Sequence, residues 1–207
     1  MDRNENFVIT INRQFGTGGH AIGAALAERL GVKLIDKQIL KAVAEKFNLT
    51  EREAEDLEAR RPSWWEDFSH FYQSFVVMNE YWVTGSDITS RQLFYAQAET
   101  MKRIAQEESC VVIGRCSFNV FAEHPNRLSI FLHSPIERRV HRVMERYNVD
   151  EEKARLIIED NDYTREVYTK TFTGKDWYDA RNYDLALDVT KFGVNGAVAF
   201  LLKFIEE

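Results

Sequence analysis

The chain has 207 residues, of which 44% are hydrophobic and 29% are charged, and its formal net charge is −6. This length supports one substantial hydrophobic core and is short for two ordinary domains, and the composition excludes a disordered chain. The acidic balance argues against general binding of nucleic-acid polymers or anionic membranes, but it leaves room for a local basic site for phosphates.

The termini and the cysteines indicate the compartment. The first residues, MDRNENF, are polar and partly acidic, unlike a signal peptide, and no apolar run approaches the roughly 20 residues that span a bilayer. Cys110 and Cys116 have no metal-ligating neighbours in the sequence, so we interpret both as reduced packing residues. We expect a cytoplasmic protein with no membrane partner and no metal centre built from its own side chains.

The predicted elements alternate along the chain. Short apolar runs predict five strands buried on both faces, at residues 7–11, 32–35, 110–113, 128–132 and 185–189. Periodic patterns predict helices at residues 21–30, 37–47, 50–59, 92–106, 135–147, 150–162 and 194–207. Ser134 is the expected N-cap of the helix that starts at Pro135. This alternation predicts an α/β three-layer fold with a five-stranded parallel sheet, in one domain covering residues 1–207.

Residues 62–83 interrupt the alternation with many aromatic side chains. Several stand at helical spacing, namely Trp64, Phe68, Phe71, Tyr72 and Phe75. Three interpretations stay open: a helix packed on the domain, a flap over a base-binding pocket, or the interface of a homo-oligomer. The last is included because aromatic anchors dominate subunit interfaces.

The strongest functional pattern is the Gly-rich segment that joins the first strand to the first helix. Its glycines allow backbone N–H groups to approach a ligand closely, and the helix N-terminus adds partial positive charge. These properties predict phosphate binding by Gly16, Thr17, Gly18, Gly19 and His20. The alternatives are a Gly-rich turn without a ligand and a Rossmann dinucleotide site. Asp36 after the second strand fits the Rossmann site, whereas the glycine spacing does not.

The loop departs from the G-x-x-x-x-G-K-[ST] pattern of P-loop proteins. Gly19 stands in place of the lysine that neutralises the outer phosphates, and His20 stands in place of the hydroxyl residue that holds Mg²⁺. Arg13 is a candidate to supply the missing charge, and His20 is a candidate donor to a phosphate oxygen.

Four segments together resemble the cytidylate kinase-like family of P-loop nucleoside monophosphate kinases. They are N-R-Q-F-G-T-G-G-H-A-I-G, L-I-D-K, V-V-I-G-R and T-G-K-D-W-Y-D-A-R-N-Y-D-L, and the resemblance spans residues 7–193. It implies transfer of the γ-phosphoryl group of ATP, with Mg²⁺, to CMP or dCMP. It also implies a P-loop-kinase-like fold with a five-stranded parallel sheet, an acceptor-binding region at 36–95 and a helical lid at 134–165.

The resemblance assigns roles to individual residues. Gly16 to His20 match the phosphate loop, and the acceptor nucleotide is assigned to Asp36, Lys37, Gly114, Arg115, Asp162 and Arg165. The lid region contains Arg138, Arg139 and Arg142. In our reading, Arg13, Arg138 and Arg142 are the catalytic cations, because phosphoryl transfer depends on positive charge around the transferring group.

Plainer interpretations of these residues stay open. Arg115 ends an apolar strand, where it is either a phosphate ligand or a strand-end ion pair. Arg138 and Arg142 lie four residues apart on a helix that also carries Arg146, a pattern that also fits a solvated face paired with acids. Asp162 and Arg165 could form a simple ion pair across one helical turn.

The departures from the family pattern motivate a second hypothesis from another class. Ile113 stands where cytidylate kinases carry an aspartate before Gly-Arg, in addition to the missing lysine and hydroxyl. The protein is therefore either an active nucleoside monophosphate kinase or a catalytically silent nucleotide sensor with the same fold. A different acceptor, or a donor other than ATP, is a third reading.

Overall fold

The computed structural model describes residues 1–36 and 90–206. The strands are β1 (Val8–Arg13), β2 (Lys33–Ile35), β3 (Cys110–Ile113), β4 (Arg127–His133) and β5 (Leu185–Asp188). The helices in these ranges are α1 (Gly19–Leu30), α2 (Ser90–Glu107), α3 (Ser117–Val120), α4 (Ile136–Tyr147), α5 (Glu151–Thr173) and α6 (Gly193–Glu206). A 3₁₀ turn covers Ala180–Asn182.

Contacts divide the chain into two compact units, residues 1–36 with 101–207, and residues 37–100. The first unit contains the five strands. Of the second unit, the structure describes residues 90–100, which form the beginning of α2. The helices predicted at 37–47 and 50–59, the aromatic segment 62–83 and Lys37 lie outside the described residues.

The five strands form one parallel sheet in the order β2-β3-β1-β4-β5. This confirms the predicted α/β fold class. From β1 the chain passes to the edge strand β2 and back to β3, and then crosses β1 to reach β4 and β5, so the direction of the connections reverses between β1 and β3. In open α/β sheets, ligands bind at the carboxyl ends of the strands beside such a reversal. The loops after β1 and β3 meet this description.

One face of the sheet is covered by α1 and α6, which pack against each other. The main core lies between the sheet and these helices. In it, Ile9 and Ile11 of β1 and Leu26 of α1 are fully buried. Gly23 allows α1 to lie close to the sheet, because a Cβ there would stand 2.7 Å from the Cδ1 atom of Ile113. Ile113 is thus a core residue, and each such fully buried aliphatic side chain contributes about 1.5–3 kcal/mol.

The other face carries α3 against β1 and an aromatic cluster around Trp177. The rings of Phe131 and Trp177 meet edge to face at 5.4 Å, and Tyr183 lies 4.9 Å from Phe131. The Tyr183 hydroxyl donates to the carbonyl oxygen of Trp177 at 2.7 Å. These contacts fix the segment between α5 and β5 against β4.

Two predicted helix boundaries were wrong. Ser134 is not the N-cap of α4. The helix begins at Ile136 after Pro135, whose ψ of 146° is extended, and the Ser134 hydroxyl instead pairs with that of Thr190. The helix predicted at 150–162 continues to Thr173, because no helix-breaking residue occurs before Gly174. Asp162 and Arg165 therefore lie in the middle of α5.

The two cysteines are unpaired and buried, as expected for packing residues. In residues 1–36 and 90–206, no helix combines the length and apolar character needed to cross a membrane.

Candidate functional site

The Gly-rich loop leaves β1 and enters α1 through two left-handed residues. Gly16 and Gly18 have φ of 82° and 81°, conformations that glycine adopts without the steric cost borne by other residues. Gly18 is the N-cap of α1, makes no side-chain cap, and accepts the N–H of Ile22 at 3.0 Å. No acidic residue stands in the first turn of this helix, so its N–H groups and partial positive charge are available to an anion.

The polar side chains of the loop are both engaged. The Thr17 hydroxyl donates to the carbonyl oxygen of Gln14 at 2.8 Å, which holds the turn closed. The His20 Nε2 atom lies 2.9 Å from a carboxylate oxygen of Asp36. The structure thus brings together Asp36, predicted on the acceptor side, and His20, predicted on the donor side.

Two arginines of α4 hold the loop from the lid side. Arg142 donates to the carbonyl oxygen of Thr17 at 2.7 Å, and a Cβ at Gly18 would collide with its guanidinium. Arg139 is buried and donates to the carbonyl oxygens of Ser134 at 3.0 Å and Phe15 at 3.3 Å. The loop therefore accepts bonds from both arginines.

Arg139 was not predicted as a site residue, and Arg138 was. Arg138 is exposed, and the described residues offer it no ion pair. The apolar phase of α4 was the signal that could have added Arg139 to the predicted residues. Arg139 lies one turn before the buried Val143, on the side of the helix that faces inward. The role predicted for Arg138 stays a prediction.

Asp162 connects the loop to both lid helices. Its carboxylate accepts the backbone N–H of Phe15 at 2.7 Å, pairs with Arg139, and lies 3.2 Å from Arg165, one turn along α5. Burial raises the pKa of Asp162, while Arg165, the Phe15 N–H and Arg139 act in the opposite direction. The predicted pair of Asp162 and Arg165 exists, and it belongs to a larger buried network.

The loop after β3 is held in an unusual backbone conformation. Gly114, Arg115 and Cys116 have φ of 71°, 58° and 52° in succession. Left-handed conformations at non-glycine residues cost about 1–2 kcal/mol each, and such strain concentrates at functional sites. The Gly114 N–H is anchored on the carbonyl oxygen of Ile11 at 3.0 Å. The strained turn places Arg115 at the carboxyl edge of the sheet.

Tyr168 of α5 lies beside Arg115. Burial raises the pKa of Tyr168, and Arg115 opposes this through its charge and a hydrogen bond. The thiol of Cys116, the residue after Arg115, donates weakly to the Thr169 hydroxyl at 3.8 Å. Contacts with one turn of α5 therefore orient the strained segment.

Three arginines from different elements share this edge of the sheet. Burial lowers the pKa of Arg13, and the charge of Arg115 lowers it further, against Asp36 and Asp162. Burial, followed by the charge of Arg13, lowers the pKa of Arg165 to about 9, so this group stays protonated at neutral pH. The Arg165 guanidinium also donates to the carbonyl oxygen of Arg13 at 3.2 Å.

A metal centre was not predicted from the sequence. In residues 1–36 and 90–206, no three side chains of the His, Cys, Asp or Glu type form a group suited to an ion. The carboxylates of the site already have other bonds, since Asp36 pairs with His20 and Asp162 with two arginines. The donor set of the described residues therefore does not fit a dedicated metal site.

Comparisons with solved structures agree with this architecture. An uncharacterized protein from Eubacterium ventriosum matches with a TM-score of 0.71 at 25% identity, over 97% of this chain and 99% of that chain. Shikimate kinase from Bacteroides thetaiotaomicron matches with a TM-score of 0.54 at 11% identity, over 97% of this chain and 99% of that chain. Gluconokinase from Sinorhizobium meliloti matches with a TM-score of 0.50 at 18% identity, over 97% of this chain and 94% of that chain. The two kinases show the fold, which is that of P-loop kinases.

The sequence itself carries the family assignment. No curated protein matches the chain. A sequence model of the cytidylate kinase-like family matches residues 8–191, a span that includes the Gly-rich loop, the strained turn after β3 and the arginines of α4 and α5. The chain belongs to the cytidylate kinase-like family.

Proposed function

We propose that the protein transfers the γ-phosphoryl group of ATP to a nucleoside monophosphate such as CMP. The observation that carries the proposal is the group of three guanidiniums formed by Arg13, Arg115 and Arg165. The carboxylates near them, Asp36 and Asp162, are shared with His20 and Arg139. The positive charges of Arg13 and Arg115, and of Arg13 and Arg165, repel each other, and an anion bound among them would relieve this repulsion. Arginine is well suited to binding phosphate.

The donor phosphates are assigned to the Gly-rich loop. The glycines at 16 and 18 turn the backbone so that α1 begins directly at the loop, with its N-terminal N–H groups uncapped by any side chain. The Arg142 guanidinium donates to the carbonyl oxygen of Thr17 and brings a positive charge to the loop from the lid side. Electrostatic stabilisation by such preorganised donors is the main contribution that proteins make to phosphoryl transfer.

The acceptor is assigned to the edge formed by Arg115, Arg165 and Asp36. In the reaction, an oxygen of the acceptor's phosphate forms a bond to the γ-phosphorus of ATP, and the bond from that phosphorus to the bridging oxygen of ADP breaks. The products from CMP are CDP and ADP. A phosphate monoester is already largely a dianion at pH 7, so the step needs no general base. The task of the protein is to hold two polyanions together.

Magnesium fits the proposal as part of the nucleotide. Mg²⁺ keeps several water ligands and is commonly bound through substrate phosphates. It would enter as the ATP complex and neutralise charge on the phosphates. The described residues do the remaining work of binding and orientation.

A second candidate is a nucleotide sensor without turnover. His20 stands at the position of the loop that usually binds Mg²⁺, and its side chain contacts Asp36 at 2.9 Å instead. This contact favours the sensor. The sensor is also favoured by Ile113, which is packed in the core at the position where, by the resemblance, cytidylate kinases carry an aspartate. Such a protein would bind ATP and CMP and form no product.

An acceptor panel tests the proposal. Purified protein is incubated with Mg-ATP and, separately, CMP, dCMP, UMP, AMP or GMP, and ADP release is followed by a coupled assay. The proposal expects acceptor-dependent ADP release that is lost in Arg165→Ala and kept in Arg103→Ala, a surface change on α2. Binding without ADP release for any acceptor supports the sensor and contradicts the kinase.

Two further expectations accompany the proposal and have separate tests. A homo-oligomer formed through segment 62–83 stays a prediction, and light scattering that finds only monomer would refute it. The cytoplasmic location, which suits an enzyme that consumes ATP, stays a prediction that fractionation of cells can check.

A further inference from the structure

Gly19 is the first residue of α1 and stands where P-loop proteins carry their lysine. Its backbone is not left-handed, so conformation alone does not demand glycine there. Space does. A Cβ at Gly19 would lie 2.6 Å from the Cγ atom and 2.8 Å from the Cβ atom of Arg13. The side chain of Arg13 therefore fills the volume from which a lysine at position 19 would project.

The other end of Arg13 reaches a second glycine. A Cβ at Gly114 would collide with the Nη1 atom of Arg13. The side chain thus runs from the beginning of α1 to the turn after β3. It lies in a slot whose two ends are lined by Gly19 and Gly114. We infer that Arg13 replaces the missing loop lysine as the cation that binds the donor's outer phosphates.

The position of the guanidinium also joins the two halves of the proposed site. Gly114 is followed directly by Arg115, which is assigned to the acceptor, and Gly19 belongs to the donor loop. Arg165 donates to the carbonyl oxygen of Arg13 at 3.2 Å, so the acceptor side also fixes the backbone of this residue. Arg13 is placed between the phosphates that exchange the phosphoryl group, where charge matters most.

A purely structural role for Arg13, as one partner of an ion pair, explains the slot less well than a role in binding a ligand. Among the described residues, the nearby carboxylates already have other partners: Asp36 contacts the imidazole of His20 at 2.9 Å, and Asp162 pairs with the guanidiniums of Arg139 and Arg165. Asp36 and Asp162 oppose the effect of burial on the pKa of Arg13, but both are shared with other partners, and Arg115 and Arg165 add positive charge nearby, so a further anion would stabilise Arg13 in this slot. The slot therefore suits a cation held for a ligand.

This inference rests on the proposed function for the identity of the ligand, and ATP binding tests it apart from turnover. Four proteins are titrated with Mg-ATP by calorimetry: the wild type, Arg13→Ala, Gly19→Lys, and the double variant Arg13→Ala with Gly19→Lys. Thermal unfolding of each checks that it folds, and Arg103→Ala serves as the surface-arginine control.

The expected pattern is reciprocal. Arg13→Ala should weaken ATP binding by roughly tenfold or more, the loss expected for a charge-assisted contact. Gly19→Lys should also weaken it, because the lysine displaces Arg13. The double variant should bind at least roughly threefold more tightly than either single variant, since the alanine vacates the slot for the lysine. If Gly19→Lys fails to fold, Arg13→Lys replaces it in the experiment. The lysine at position 13 keeps a positive charge near Gly19 but is shorter than arginine and does not reach Gly114. We expect its affinity for ATP to lie between those of the wild type and Arg13→Ala.

Other outcomes separate the two claims. Arg13→Ala with wild-type affinity for ATP, or a wild type that does not bind ATP, overturns the inference. A double variant no better than the single variants also overturns it. If Arg13→Ala weakens binding in a wild type that never transfers phosphoryl, the inference stands and the proposed kinase activity fails. If the wild type transfers phosphoryl and Arg13→Ala does so at the same rate with the same affinity, the proposed function stands and the inference fails.

Discussion

The carboxylate of Asp162 accepts the backbone N–H of Phe15 at 2.7 Å, which ties the middle of α5 to the start of the Gly-rich loop. The same carboxylate pairs with Arg139 of α4, and Arg139 returns to the carbonyl oxygen of Phe15. The Phe15 ring lies beneath the Arg165 guanidinium at 5.4 Å and stacks with Tyr147 at 6.1 Å. Side chains of the protein itself therefore hold the loop in the conformation proposed to receive phosphates.

Removing the charge of Asp162 should destabilise this arrangement. Asp162→Asn keeps an acceptor for the Phe15 N–H but leaves Arg139 buried without a counter-charge. Leaving one partner of a buried pair uncompensated costs about 3–5 kcal/mol. Urea unfolding at pH 7 measures the change in free energy. Asp160→Asn, on the exposed face of the same helix, is the matched control and should change it by less than about 0.5 kcal/mol. Equal effects of the two substitutions would show that the Asp162 network adds no stability.

Gly18 and Gly31 offer a matched pair of left-handed glycines at the two ends of α1. Gly18 has φ of 81° with the Arg142 guanidinium where a Cβ would stand, whereas Gly31 has φ of 67° and open space. Alanine at either position should cost about 1 kcal/mol through backbone strain. Only Gly18→Ala should also displace Arg142 from Thr17 and weaken Mg-ATP binding, by roughly tenfold. Calorimetry and urea unfolding separate the two effects. Equal ATP affinities of the two variants would contradict the assigned role of the loop.

The strained turn predicts a conflict between stability and activity at Arg115. Arg115→Ala keeps the left-handed residue, while Arg115→Gly relieves its steric cost. The glycine variant should be the more stable of the two by about 1 kcal/mol. Both should lose acceptor binding, seen as a rise in KM for CMP with little change in KM for ATP. A glycine variant that is less stable than the alanine variant would mean that the backbone is not strained there.

The buried thiols predict a stability that falls at alkaline pH. Burial raises the pKa of Cys110 and of Cys116 to about 12, from 9. Below about pH 9 both states hold the thiol protons, so this contribution is fully present. Between about pH 9 and 12 only the unfolded state releases them, which lowers the free energy of unfolding by about 1.4 kcal/mol per pH unit for each thiol.

Urea unfolding at pH 8, 9 and 10 measures this slope. The double variant Cys110→Ala with Cys116→Ala should be less stable at pH 8, because it leaves cavities, and it should show a shallower decline. An identical decline in both proteins would assign the alkaline effect to other groups. Native protein at pH 8 should also resist thiol alkylation until it unfolds.

The fold could be predicted because its strands are continuous apolar runs. The run at 110–113 reproduces β3 residue for residue, and the other four differ at their ends by one or two residues. Helix ends were less predictable. Local capping signals placed Ser134 at an N-cap, yet its hydroxyl is taken by Thr190, which is distant in sequence. Long-range partners of this kind cannot be seen in a local pattern.

The position of the candidate site could be predicted in outline from the glycines and from Arg13, and the roles of these residues stay predictions. Its details depend on side-chain phase and backbone strain. Arg139 and Arg138 are neighbours with the same chemistry, and only the buried face of α4 decides which of them meets the loop. The left-handed turn at Arg115 has no sequence signal beyond Gly114, since arginine and cysteine rarely adopt that conformation. Arginines are concentrated at one edge of the sheet although the net charge of the chain is −6, so the overall charge could not predict this cluster.

The central claim is that phosphoryl passes from ATP to a nucleoside monophosphate held by the arginines of the sheet edge. Phosphorus-31 NMR of Mg-ATP mixed with CMP and the wild-type protein tests this directly, because it distinguishes transfer from hydrolysis. The account predicts that the resonances of CDP and ADP grow together while those of ATP and CMP decline, and that Arg165→Ala suppresses both products. Unchanged spectra, or ADP accompanied by inorganic phosphate instead of CDP, would contradict it.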